Sequence, residues 1–413
     1  MAVDSARSLG RAGVLVGVAS AAANVLGFVF LALLSRAYSP AQFGEVSALL
    51  GVGAIGAVPA VAVQLLIARQ LAAAPSGADV VSGRAVLALG SVLFAAVLLA
   101  TPVLRPVLHI HATASLLWVG LSLVPFTVGG GLQGHLLGAE RFRVYALGLL
   151  LVSGARVLTG GVALGARTSI STTMAVLAVA TLGAVLVLAA LTRVGWWWRP
   201  GRTHGWSREV RPFGVILFGI GGFLVLSGLD LLLARHYLVS RSSGVYAVGN
   251  LFTKAGLWGP QFVAIVVFPR LSAGAGRGLL VRAVAAVVVL GGIGIGLVAA
   301  LGPWIVTTVA GDAYAAAGGY AWLFAVLGIL LALVHLLLLG SVAEHSGWAS
   351  AAVWVAVAAE VVLVATIGSG SVRAVLVSAT AVTGTLVAVA LIRRLRAPGA
   401  APAAALPAGA DAA

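Results

Sequence analysis

A chain of 413 residues that is 61% hydrophobic and only 8% charged has too little polar surface to fold as a water-soluble domain. The net charge of +15 does not indicate nucleic acid, because the basic residues gather in short loops between apolar runs, where they set orientation in a membrane. Cysteine is absent, which excludes a disulfide framework, thiolate catalysis and cysteine-ligated metal.

Apolar runs of about twenty residues recur along the chain, the length needed to cross a hydrocarbon core. They predict twelve spans, at 13–35, 44–68, 85–104, 114–138, 144–165, 171–193, 213–234, 245–268, 283–302, 320–342, 347–367 and 374–392. The N-terminal MAVDSARSLGR is short and basic. The run from Val14 to Leu34 that follows is long enough to span, so it reads as a retained first helix rather than a signal peptide. Between the sixth and seventh spans lies RVGWWWRPGRTHGWSREVRP. Its four tryptophans suit headgroup level, as an interfacial linker between two halves or as a docking site for a cytoplasmic partner. The stretch GPWIVTTVAGDAYAAAGGY after residue 302 reads as an interfacial loop or a short re-entrant piece. The tail APGAAPAAALPAGADAA is of low complexity and is expected to be disordered. The expected organisation is a six-helix bundle at 1–193, a basic linker at 194–212, a second six-helix bundle at 213–396 and a tail at 397–413.

The basic residues orient these spans. With the N-terminus inside, about seventeen fall on the cytoplasmic side and about six outside. Arg156 and Lys254, the latter the sole lysine, lie within spans. This bias places both termini and the 194–212 linker in the cytoplasm, in a multi-pass protein of the cytoplasmic membrane. A high-GC genome would by itself favour arginine over lysine.

The two halves resemble each other. LLSRAYSPAQFGEVSALL closes the first span and opens the second, and LLARHYLVSRSSGVYAVGNL does the same for the seventh and eighth. Arg36 matches Arg235, Tyr38 matches Tyr237, Gly44 matches Gly244, and the Pro59–Arg69 pair matches Pro260–Arg270. Several matches in order, at one near-constant offset, indicate a duplicated six-helix unit. Six being even, both copies start on the same side and the repeats are parallel. The predicted fold is thus an all-α polytopic membrane protein of about 12 transmembrane helices, in two parallel six-helix repeats around a central cavity.

On these residues the chain resembles the polysaccharide flippases and exporters of the multidrug/oligosaccharidyl-lipid/polysaccharide exporter superfamily. NVLGFVFLALLSRAYSPAQFGEVSALL is similar to their opening. Asp230, Gly244, Tyr246, Pro269, Arg270, Leu271 and Ser272 occupy the positions of that family's late Asp, Gly-x-Tyr and Pro-Arg-Leu-Ser pattern. The resemblance covers most of the first 275 residues. It implies a transporter that moves a lipid-linked oligosaccharide or polysaccharide precursor across the cytoplasmic membrane, with no cofactor. The partners it implies are an isoprenoid-linked glycan, membrane lipids and glycan-assembly proteins.

Ionisable groups inside spans are costly and mark candidate sites. Arg156, Lys254, Glu360 and His335 fall near the midplane of their helices, Asn24 sits mid-helix in the first span, and Asp230 lies near the outer end of the seventh. Arg156 and Lys254 come from opposite halves and suit a phosphate-bearing headgroup. The alternative is internal pairing, Lys254 with Asp230 and Arg156 with Glu360. Arg36 and Arg235, at outer helix ends, either snorkel to headgroups or take part in substrate binding and gating. Asp230, Glu360 and His335 are candidates for a coupling cation or proton, with a core role as the alternative for His335. No HExxH, P-loop or nucleophile elbow is present, which excludes a pump driven by its own ATP hydrolysis. The competing readings are a cation-coupled multidrug antiporter of the same superfamily, a major-facilitator porter, whose G-x-x-x-D-[RK]-x-G pattern is missing, and an integral membrane enzyme of glycan assembly.

Overall fold

The structure is a computed structural model that describes residues 2–73, 80–198, 209–260, 277–343, 347–368 and 370–396. No β-strand occurs among them. The first half comprises α1 (Ala2–Ala37), α2 (Pro40–Gly56), α3 (Val58–Ala73), α4 (Gly83–Val107), α5 (Thr113–Gly138), α6 (Phe142–Ala166) and α7 (Ile170–Thr192). The second comprises α8 (Val210–Tyr237), α9 (Ser240–Trp258), α10 (Arg277–Val309), α11 (Ala321–Ala343), α12 (Trp348–Leu363) and α13 (Val372–Arg396).

Eleven helical stretches among the described residues are long and apolar enough to cross a membrane. The described part of α9 belongs to a further span, whose predicted remainder at 261–268 lies outside the described residues. So do Arg270, the Pro269–Ser272 motif and the tail at 397–413. Lipid is the solvent these helices require. Leu99, Val18 and Leu158 stand exposed on their outer faces, where water would leave a large apolar surface uncovered.

Local chemistry sets the helix ends. Pro40 occupies the first turn of α2, where its missing N–H costs nothing, and the Gln42 side chain accepts from the Ser39 N–H at 3.1 Å. The second predicted span is broken into α2 and α3 at Ala57, two residues before Pro59, which cannot donate to the turn behind it. Along α5, Gly130, Gly134 and Gly138 recur every four residues against α3. A Cβ on Gly130 would stand 2.4 Å from the Ala60 carbonyl, so only glycine lets these backbones meet.

The halves pack alike, span for span. In each, the first span packs on the fifth, the second and third on the fourth, and the fourth and fifth on the sixth. The fold is therefore two parallel six-helix repeats. They meet mainly through α2 against α8 and α9, and α3 against α8.

Two expectations are corrected. The region after 302 is neither an interfacial loop nor a re-entrant piece. α10 continues through Pro303 to Val309, and a 3-10 helix over Asp312–Tyr320 turns back with Tyr314 fully buried. Nor does Trp197 present its indole N–H to headgroups or water. It is wholly buried under the first half, donates from its indole to the Val81 carbonyl at 2.5 Å, and meets the His135 ring edge-on at 4.8 Å. The linker residues 199–208 lie outside the described residues.

Candidate functional site

A cavity of about 450 Å³ opens between the two repeats. α2 contributes Ser47 and the residues around its break, α5 contributes Ser122 and Phe126, and α6 contributes Arg156. From the other half come Ser227 on α8, Asn250 and Lys254 on α9, and His335 on α11. Most of the remaining wall is apolar. The two cations singled out by depth in the sequence thus face one space from opposite halves.

Their surroundings differ. The Arg156 guanidinium lies over the Phe126 ring, 5.6 Å from its centre, and among the described residues no carboxylate or carbonyl holds it. Glu360, its candidate partner, is buried elsewhere in the second half, with Oε1 lacking any hydrogen bond. Lys254 donates to the Ser227 carbonyl. Asp230 acts on it through space but does not close an ion pair. Instead the Asp230 carboxylate accepts from the Tyr246 hydroxyl and the Asn250 amide, each at 2.9 Å. The two pairings considered from the sequence are therefore not formed here. Both ammonium and guanidinium remain presented to the cavity.

His335 is part of the wall and meets the Phe223 ring edge-on at 4.8 Å. Asn24 is not: the α1 residues that reach the cavity are Gly27, Phe30 and Leu31, the first of them one turn further on. Arg36 and Arg235 do not line it either. They stand at one end of the bundle and bond across the junction between the halves. Arg36 donates through Nε to the Val309 carbonyl at 2.9 Å and also to the Thr308 carbonyl. Arg235 donates to the carbonyls of Leu108 and His109, each at 2.8 Å. At this end Tyr314 also donates to the Tyr38 carbonyl at 2.9 Å, and α2 and α9 touch through Gly44 and Gly244.

Sequence reasoning missed Ser47, Ser122, Ser227 and Asn250 as wall residues. It also missed Glu45, whose carboxylate accepts from the His111 backbone at 3.0 Å and faces its ring Nδ1 at 2.6 Å. A lone carboxylate in the first turns of an apolar span was the available signal for Glu45. Neutral serines in helices carried none.

Two six-helix repeats enclosing a polar-spotted cavity are an architecture on which many transporters are built. No family model and no curated protein matches the chain. Solved structures do, at 12–14% identity, and they show a shared fold. The lipid II flippase MurJ, in an inward closed conformation, is 13% identical over 93% of this chain and 88% of its own, with a TM-score of 0.68. A multidrug resistance MATE family transporter in an inward-facing conformation is 14% identical over 90% and 93%, with a TM-score of 0.67. A MOP superfamily transporter from Pyrococcus furiosus, whose reversed binding-pocket polarity suggests a different function, is 12% identical over 93% of each chain, with a TM-score of 0.59.

Proposed function

We propose that this protein translocates an amphiphilic, lipid-linked anion, a glycan precursor on an isoprenoid phosphate or pyrophosphate, across the cytoplasmic membrane. The observation that carries this reading is the pair Arg156 and Lys254, one from each repeat, presented to a single and largely apolar cavity. A guanidinium matches phosphate oxygens with a planar fork, and an ammonium offers a compact charge. The apolar wall suits a prenyl chain and sugar faces. Resemblance of fold supports a multidrug antiporter as well, since MATE transporters share it. The two cations on the wall favour an anionic cargo over the cationic drugs that an acidic cavity would take.

Removing either cation should weaken headgroup binding by about 1.5–3 kcal/mol, the range for hydrogen bonds to charged groups. In proteoliposomes carrying a fluorescent lipid-linked sugar, Arg156→Ala and Lys254→Ala should lose most translocation while keeping normal abundance and melting temperature. Unchanged translocation in both variants would remove the headgroup role. Transport of cationic dyes in place of the lipid would establish the antiporter reading. Asp230 and Glu360 stand behind the wall as the groups to take a coupling cation or proton, with His335 at the wall itself. In the same assay, Glu360→Gln should abolish any dependence on an imposed gradient.

The proposed orientation puts the linker end in the cytoplasm and the Arg36 end outside, following the excess of basic residues at the linker end. Reporter fusions after Arg211 and after Arg396 should both read inside. An outside reading at either position would reverse or break this topology.

A further inference from the structure

We infer that Arg36 and Arg235 are two reciprocal latches that hold the outer end of the transporter shut. The repeat makes them equivalent, and the structure gives them equivalent acceptors. Arg36 ends the first span of its half and reaches the last carbonyls of α10, the third span of the other half. Arg235 ends the first span of its own half and reaches the carbonyls just past α4, again the third span of the other half. Each arginine thus crosses the junction in the opposite sense to its twin.

The acceptors suit a cation. The last carbonyls of a helix lack intrahelical donors and carry the negative end of its dipole. Leu108 and His109 follow the end of α4, and Thr308 and Val309 close α10. A guanidinium donating two bonds to successive carbonyls satisfies both and offsets the partial charge. His236, beside Arg235, adds a 2.8 Å contact from its ring Nδ1 to the Val107 carbonyl. The Arg235 guanidinium is buried and also donates to the Ser243 hydroxyl at 3.1 Å, while Arg36 is exposed.

These bonds join the halves only while that end is closed. If the halves separate as rigid bodies, both latches break in one event, and their contributions to the closed population multiply. Opening then exposes Ser47, which is buried on the cavity wall beneath the seal. The inference rests on the orientation proposed above only for which compartment the sealed end faces.

The absence of cysteine gives a clean test. Ser47→Cys is the reporter, and a membrane-impermeant maleimide is applied to right-side-out and to inverted vesicles. From outside, the reporter alone should label slowly. Adding Arg36→Ala or Arg235→Ala should speed labelling about tenfold each, and both together roughly a hundredfold. A second reporter, Val185→Cys, buried in the first half away from the cavity, should stay unreactive in every background. Should Arg235→Ala fail to yield monodisperse protein, Arg36→Ala, whose side chain is exposed, decides alone. The latch is overturned if the folded variants label from outside at the reporter's own rate. It is equally overturned if Val185→Cys gains reactivity in step with Ser47→Cys, because that reads general loosening. A reporter that labels fast from outside and slowly from inside, before any arginine is changed, reverses the orientation instead, and the arginine variants are then read on inverted vesicles.

Discussion

Gly244→Ala should be among the most damaging single-methyl changes in this protein. A Cβ at that position would stand 1.8 Å from the Pro40 carbonyl oxygen and 2.5 Å from its carbon. The neighbour is backbone in the first turn of α2, fixed by a proline ring, so it cannot rotate away. To reach ordinary contact, α2 and α9 would have to part by well over an ångström where the halves meet. Overpacking of this kind costs about 1–3 kcal/mol where side chains yield, and more where backbone must move. The expected result is a loss of about 3 kcal/mol or more, seen as a large fall in melting temperature or as failure to recover monodisperse protein. Gly44→Ala, at the matching position of the first repeat, is the control. Its Cβ would meet the Ser243 hydroxyl at 2.4 Å and the Gly244 backbone nitrogen at 3.0 Å, a milder clash with the nearest atom on a side chain rather than on backbone. A Gly244→Ala protein as stable as Gly44→Ala would show that the two helices do not meet as described.

Trp197→Ala should cost about 3–5 kcal/mol, the range for deleting a large buried aromatic. The indole fills the linker end of the first half, among Ile67, Leu132 and Val81, with Gly131 leaving room for its ring. Truncation opens that space and leaves the Val81 carbonyl without its 2.5 Å donor. Trp197→Phe separates the two contributions. It keeps most of the packing and loses the hydrogen bond, leaving a buried carbonyl unpaired at a cost of about 1–3 kcal/mol. Thermal unfolding in detergent reads both variants. If Trp197→Ala melts with the parent protein, the residue sits in the interface after all, as its sequence context first suggests.

Much of the architecture was legible because membrane spans advertise themselves by length and the repeat by ordered matches. The near-constant offset that ties Arg36 to Arg235 and Gly44 to Gly244 is the same one that relates their positions in space. Depth was legible too: counting along a helix put Arg156 and Lys254 at the level of the cavity. Facing direction was not. In lipid both sides of a helix are apolar, so periodicity does not separate the cavity face from the outer face. Asn24 was placed at a plausible depth and yet stands off the wall. Pro303 and Gly302 read as a helix end, but the apolar WIVTTV beyond them packs on as one more turn and a half of α10. Trp197 read as interfacial because three neighbouring tryptophans share its composition. Only the pocket beneath the first half distinguishes it.

The seal at the Arg36 end has donors that are side chains and acceptors that are peptide carbonyls. A carbonyl keeps its place whatever residue carries it. The side chains from 107 to 110 and from 307 to 310 are therefore constrained by packing, as the buried Leu108, Ile110 and Ala310 are, and not by the contact itself, which persists provided the helices end where they do. Residue pairs that change together would not reveal this contact, because one partner has no chemical identity to change. Its evolutionary trace would be two lone arginines, each preserved without a correlated neighbour, and an insertion or deletion near the end of the third or ninth span would be as disruptive as losing the arginine itself.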